Sequence, residues 1–290
     1  MSNDYYGWQT RSIENDFLRL EFLTDVGPRI VRLFLRDRAE NWLAEVPDKK
    51  VTTDLGDYYF RGGHRLWYAP EKIPQTYYPD NAPINIEFLP NGVSLRQPRE
   101  STTGICKQID IRLHSERAAL TLSHHVENTG TQTIELAPWA ITQLKLGGVA
   151  LLPQTIDARD THGLLPNRNV VLWPYTRLND TRLELRDQVI RVHAHAHLPP
   201  CKIGCLNLRG WLAYWRDNIL FVKRFTPQPN ALHPDLNCNA EVYCNDEFIE
   251  LETLAPLILL TPGARVTHDE TWEFYSNIAL TDLDEWANRG

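Results

Sequence analysis

The chain has 290 residues, 42% of them hydrophobic and 23% charged, with a formal net charge of −7; this is the composition of a soluble globular protein with enough chain for a substantial core. An acidic balance without a lysine/arginine stripe argues against nucleic acid and membrane as partners and leaves small neutral or polar ligands as the natural ones. No Gly/Ser-rich linker or low-complexity tract divides the sequence, so residues 1–290 are expected to form a single domain.

The start, Met1 to Trp8, lacks the basic residues and apolar run of a signal peptide, and no apolar stretch reaches the ~18 residues of a membrane span, so a cytoplasmic protein is expected. The five cysteines (Cys106, Cys201, Cys205, Cys238, Cys244) are odd in number and widely spread, which argues against a disulfide framework and against a zinc knuckle.

Short strands separated by turn residues account for most of the chain. Phe17 to Leu23 and Ile30 to Leu35 alternate around Asp25-Val26-Gly27-Pro28, and Asn85 to Leu89 with Val93 to Arg96 flank the hairpin signal Pro90-Asn91-Gly92. Ile105 to Leu113, Ala119 to Val126 and Thr133 to Leu146 follow. Beyond them come Val170 to Trp173, Val189 to His195, Trp211 to Trp215, Ile219 to Phe225, Ala240 to Cys244, Phe248 to Leu260 and His268 to Tyr275. Helical periodicity is confined to Leu280 to Arg289. Many strands at this spacing predict an all-β protein, a large antiparallel sandwich or barrel.

The stretch Phe248 to Gly263 carries the sharpest chemical signal. Side chains two apart on a strand share a face, so Glu250 and Glu252 point the same way on a strand whose neighbours are apolar. Buried carboxylates are costly unless they are paired, hydrogen-bonded or used, and acids on solvent or paired with lysines are the plain alternative.

Several motifs in series resemble the galactose mutarotase-like superfamily, which includes aldose 1-epimerases and hexose-phosphate epimerases. They are Gly27-Pro28-Arg29-Ile30, Gly62-Gly63-His64-Arg65-Leu66-Trp67 with Ala69-Pro70-Glu71, Glu127-Asn128-Thr129-Gly130, and Ala137-Pro138-Trp139-Ala140 running to Gly147-Gly148. Leu172-Trp173-Pro174-Tyr175, Asp180-Thr181-Arg182-Leu183, Lys202-Ile203-Gly204, Glu250-Leu251-Glu252, Thr261-Pro262-Gly263 and Trp272 continue the series, which spans roughly residues 20 to 275. The resemblance implies a β-supersandwich and a sugar or sugar derivative as ligand.

It also implies chemistry. In these epimerases a glutamate in a Leu-Glu-Thr-like strand takes the anomeric proton while an acid, usually histidine, protonates the ring oxygen; the ring opens, rotates and recloses without metal or cofactor. Leu251-Glu252-Thr253 matches that strand, so the resemblance makes Glu252 the catalytic base and Glu250 its assistant. The histidine normally lies in a His-Pro-Tyr-Phe-like segment, and here that slot holds Ala137, which carries no proton.

His64 is the leading replacement acid, since it follows two glycines and precedes Arg65 and Trp67, which offer a hydrogen-bond donor and a stacking face; a loop histidine capping carbonyls is the alternative. His124 and His125 sit on one strand, and His125 is the one expected to line a site. Lys223 shares parity with Phe221 and Phe225, so its cation is expected to point inward and meet Glu241 or Glu250. Arg29 and Lys145 are secondary binding candidates, and Arg61, Arg65 and Arg29 can form a phosphate-recognising cluster. Trp67, Trp139 and Tyr78 are the aromatics nearest these motifs. His193, His195 and His197 alternate as metal ligands on a strand do, and an edge strand running into Pro199-Pro200 explains them equally. Three readings follow: an acid/base enzyme acting on a sugar, a sugar-binding protein that has lost its acid, and a metal-dependent enzyme.

Overall fold

The computed structural model describes residues 3–157, 160–196 and 198–289. Two large sheets lie face to face, an antiparallel β-supersandwich. The first runs in the order Asn3–Tyr5, Trp8–Glu14, Leu18–Leu23, Ile30–Leu35, His64–Ala69, Ile134–Lys145, Phe248–Leu254, Ala240–Cys244, Cys201–Cys205 and Val171–Leu172, with Ile258–Leu260 also pairing on Ile134–Lys145. The second runs Leu183–Leu185, Val189–His193, Val149–Pro153, Trp211–Arg216, Ile219–Phe225, Arg265–Ser276, Ala119–Asn128, Ile105–Leu113, Gly92–Arg96 and Asn85–Leu89. A separate hairpin, Glu45–Thr53 with Gly56–Gly62, stands beside the first sheet.

Strand alternation explains where the core sits. Leu66, Leu144, Ile249, Leu251, Val242 and Ile203 face the second sheet and meet Ile109, Leu122, Leu212, Phe221 and Trp272; burying each such side chain stabilises the fold by about 1.5–3 kcal/mol. The intervening residues of the same strands point to the other face of the first sheet, where Trp67, Ala69, Ala137, Trp139, Ile141 and Leu254 form a second cluster. The C-terminal helix begins as a 3₁₀ turn at Leu280–Asp282 and continues as Leu283–Arg289, packing Leu283 and Ala287 on Trp211. No helix among the described residues is long and apolar enough to cross a membrane.

Two elements differ from the sequence expectation. The run Phe248 to Leu260 is broken at Ala255-Pro256-Leu257, because Pro256 has no N–H for a ladder; the chain leaves one neighbour and resumes by pairing Ile258–Leu260 with Ile134–Leu136. Gly62-Gly63-His64, for which a loop is the alternative reading, leads into a central strand. Gly63 has φ +70°, and a Cβ on it would lie 1.9 Å from the Ile30 carbonyl oxygen, so the glycine is there for close backbone approach.

Candidate functional site

Register places three rows of side chains across the outer face of the first sheet. Trp67, Trp139 and Leu254 form one, Arg65, Ile141, Glu252 and Glu241 the next, and Gln143, Glu250, Tyr243 and Lys202 the third. Gly204, opposite Glu241, is a gap in this face: a Cβ there would approach Glu241 Cγ to 3.0 Å and Cys238 Sγ to 2.9 Å. Five strands thus bring three carboxylates and two cations to one surface.

Arg65 Nη2 donates to Glu250 Oε1 at 2.9 Å, while its guanidinium stacks over Trp67 at 4.3 Å. Lys202 Nζ lies 2.7 Å from Glu241 Oε2 and 2.8 Å from Glu252 Oε2, between the rings of Trp139 and Trp173 at 4.7 and 4.6 Å. Trp139 Nε1 also donates to Glu252 Oε2, at 2.8 Å. One ammonium therefore serves two buried carboxylates. Burial opposes the charge on Lys202, but Glu241 and Glu252 overcome it and hold its pKa well above the ordinary value.

Burial pushes Glu241 well above the usual carboxylate range, and the nearby Glu252 adds to the effect, so the pair favours a proton on Glu241. Burial also raises Glu250, more than Arg65 lowers it. These groups retain unused hydrogen-bonding capacity. Arg65 Nε and Nη1, both ends of the Gln143 amide, Glu241 Oε1 and Glu252 Oε1 are buried without partners, and unsatisfied buried polar groups in a native fold call for an explanation.

Above this face lies a cavity of about 410 Å³ reached by Arg65, Glu250 and Lys202 and walled by aromatics, among them Trp67, Tyr77, Trp139, Trp173, Tyr175 and Tyr243. Burial raises the pKa of Tyr175, and that of Tyr243 to about 12, so both stay neutral phenols. A second chamber of about 500 Å³ adjoins, lined by Pro70, Glu71, Ile73 and Asp235 together with Trp139, Trp173 and Lys202. Asp235 is carried on a left-handed turn in which Asp235, Leu236 and Asn237 have φ of 51°, 57° and 71°. Non-glycine residues pay about 1–2 kcal/mol each for that conformation, offset in part by bonds from the Cys238 N–H to the Pro234 carbonyl and from the His233 N–H to Asn237 Oδ1.

Of the residues singled out from sequence, Arg65, Trp67, Trp139 and Glu250 line the cavity, and Glu252 lies beneath it under Lys202 and Trp139. His64 does not join them. Its neighbour Arg65 takes the outer face, so the imidazole points between the sheets, where it is 0% exposed. Lys223 points inward as its parity requires, but the acid it meets is Glu270, at 3.0 Å, rather than Glu241 or Glu250.

These two residues belong to a closed network. The His268 carbonyl can only accept, so His124 donates to it from Nδ1 at 2.9 Å and accepts at Nε2 from His64 at 2.7 Å; His64 Nδ1 then accepts from Thr142, whose oxygen accepts from Lys223 at 3.0 Å. Lys223 also donates to the Leu251 and Ala140 carbonyls, and Glu270 accepts from Thr253 and Trp272. Burial depresses both imidazoles, with neighbouring charges modulating the effect, which agrees with the neutral tautomers. His64, His124 and Glu270 have ligand atoms within 4.8 Å of one another, yet Lys223 supplies the cation there and no side-chain atom of the three is left unpartnered.

The other candidates also lie elsewhere. Arg29 is buried against Asp80, Tyr58 and the Phe60 carbonyl, behind the aromatic wall, and Arg61 binds the same Asp80, so the arginines form no open phosphate cluster. His125 faces away from the first sheet, beside Asp110 and Thr267. Lys145 pairs with Glu40 at 3.5 Å, outside the cavity lining. Tyr78 bonds Ser101. His193 binds Glu184 and stacks on His195, while His197 lies outside the described residues.

Of the site residues missed by sequence reasoning, which include Asp235, Tyr77 and Gln143, Lys202 and Glu241 are the charged ones on strands. Each is the one charged residue in a short strand, and the alternations Lys202/Gly204 and Glu241/Tyr243 were the available signal.

No family model and no curated protein matches the chain. Solved structures do match. A galactose mutarotase-like protein from Lactobacillus casei superposes with a TM-score of 0.61 at 10% identity, over 92% of this chain and 100% of that one. The fold is galactose mutarotase-like. A candidate aldose 1-epimerase from Escherichia coli K12 gives a TM-score of 0.55 at 12% identity (92% and 99% of the two chains), and a candidate mutarotase from Salmonella typhimurium gives 0.57 at 12% (93% and 91%). Within this mutarotase-like sandwich Ala137, at the slot where the sequence resemblance expects histidine, is 0% exposed and packed among Trp67, Trp139 and Ile141. Among the described residues no histidine lines either chamber of the site.

Proposed function

We propose that the protein binds a neutral saccharide in the aromatic-walled cavity and carries out acid/base chemistry on it, in the manner of an aldose 1-epimerase. The observation that carries this reading is the convergence of Glu250, Lys202 and Arg65 on one cavity, with Glu241 and Glu252 directly beneath Lys202. Sugars present apolar ring faces to stack on aromatics and hydroxyls to bond the polar floor, and this cavity offers both. Carboxylates outnumber free cations here, since Arg65 and Lys202 are already paired, and that favours an uncharged ligand over a phosphorylated one.

Glu250 is the carboxylate of the sheet that lines the cavity, and its raised pKa suits it to take and return the anomeric proton. On the other side Lys202 donates a hydrogen bond to the ring oxygen. Its own pKa is too high for easy release, so the protonated Glu241 below it is the store that resupplies the proton. Arg65, with Nη1 unused, orients a hydroxyl.

The second reading is a saccharide-binding protein without turnover, and the specific observation behind it is the buried Ala137 in a site that no histidine lines among the described residues. Saturation-transfer NMR over a panel of reducing sugars tests both. Anomer exchange that is lost in Glu250→Gln and weakened in Glu252→Gln is the expected result; binding without exchange selects the second reading, and a panel that neither binds nor exchanges sinks both.

A further inference from the structure

We propose that the ligand has at least two sugar rings, the second held by Asp235 in the outer chamber; this rests on the saccharide reading above. The two chambers share Glu71, Trp139, Trp173 and Lys202, so they are the halves of one groove. The inner half carries Arg65 and Glu250, the groups able to do chemistry, and its roughly 410 Å³ already accommodates a small ligand. The outer half, at about 500 Å³, is no smaller, and it contains none of the reactive carboxylates of the sheet. It has instead the features of a subsite.

Trp139 and Trp173 border both halves, so they can stack consecutive rings. Pro70 and Ile73 form an apolar rim, with Ile73 71% exposed. Asp235 shares a hydrogen bond with Glu241 and, among the described residues, forms no ion pair within 4 Å, while Glu71 accepts from Tyr77 and has no cationic partner either. Carboxylates without a cationic partner suit hydroxyl donors and disfavour an anionic second unit. Burial raises the pKa of Asp235, which is consistent with a group partly withdrawn from water over the groove. The ligand class is a neutral oligosaccharide or a glycoside with a hydroxylated second ring.

The test is isothermal titration calorimetry with gluco-, galacto-, manno- and xylo-configured monosaccharides and the corresponding disaccharides, on wild type, Asp235→Asn and Asp235→Ala. Asp235→Asn preserves the turn, since asparagine tolerates the left-handed conformation. The best disaccharide should bind at least tenfold more tightly than its monosaccharide. Both variants should lose most of that increment and leave monosaccharide affinity within twofold. Equal mono- and disaccharide affinities, or a disaccharide advantage that survives both variants, overturn the outer subsite and leave the saccharide reading standing. Absence of binding to every saccharide overturns both.

Discussion

Replacing Lys202 with methionine keeps the length of the side chain and removes the charge between Glu241 and Glu252. Both side chains are 0% exposed and face one another across adjacent strands, so at pH 8 the variant must either bury carboxylate charge with no cation beside it or take up a proton. Removing one partner of a buried ion pair costs about 3–5 kcal/mol. Lys202 is the group that lowers the Glu241 pKa against burial, so without the ammonium that carboxyl rises further above its ordinary value. A folded state that binds more protons than the unfolded one gains stability as pH falls, so the loss relative to wild type should shrink to about 1 kcal/mol at pH 5. Urea unfolding followed by tryptophan fluorescence at pH 8 and pH 5 measures it, and Lys202→Met/Glu252→Gln should regain part of the loss at pH 8. An unchanged midpoint at pH 8, or a deficit of the same size at both pH values, would refute the account of one cation shared by two acids.

Three further outcomes are expected. Because burial raises the Glu250 pKa above its ordinary 4.5, an anomer-exchange rate that needs its carboxylate should climb with pH through a value above 4.5, and that limb should vanish in Glu250→Gln; a profile identical in the two proteins assigns the base elsewhere. Burial lowers His268 from 6.5 to about 4, so the unfolded chain takes its proton first as pH falls, and about 3 kcal/mol of stability present above pH 6.5 should be lost on approaching pH 4. Unfolding free energies at pH 7 and 4.5 should therefore fall less in His268→Gln, and an equal fall in both proteins would contradict the assignment. Gly63→Ala forces a Cβ to within 1.9 Å of the Ile30 carbonyl at φ +70° and should cost more than about 3 kcal/mol; a melting temperature like that of wild type would show that the strand can shift.

The fold was legible because alternation survives in the long strands. Ile105–Leu113 was read to the residue, and the shared face of Glu250 and Glu252 followed from the same rule. Strands without alternation were harder. Val149–Pro153 is buried throughout and reads as a plain apolar run, and Cys201–Cys205 is short with glycine in it. The expectation at His64 rests on the two glycines before it and on Arg65 and Trp67 after it, and it assigns the residue no strand parity. Counting from Arg65 and Trp67 as a pair on one face would have put His64 on the other.

The same strands carry polar clusters on both faces, and what separates them is hydrogen-bond completeness. Between the sheets, Lys223 and Glu270 neutralise one another, and His64, His124, Thr142 and Thr253 fill the remaining donors and acceptors, with Lys223 gripping the Leu251 carbonyl between Glu250 and Glu252. A network of that kind specifies how the two sheets register and asks nothing of a ligand. On the outer face Arg65, Gln143, Glu241 and Glu252 all keep polar atoms without partners, under a cavity walled with aromatic rings. Sequence lists the same residue types for both clusters; only the geometry shows which has hydrogen bonds left to give, and that unused capacity is the argument for placing the ligand over Glu250 and Lys202 rather than near the histidines.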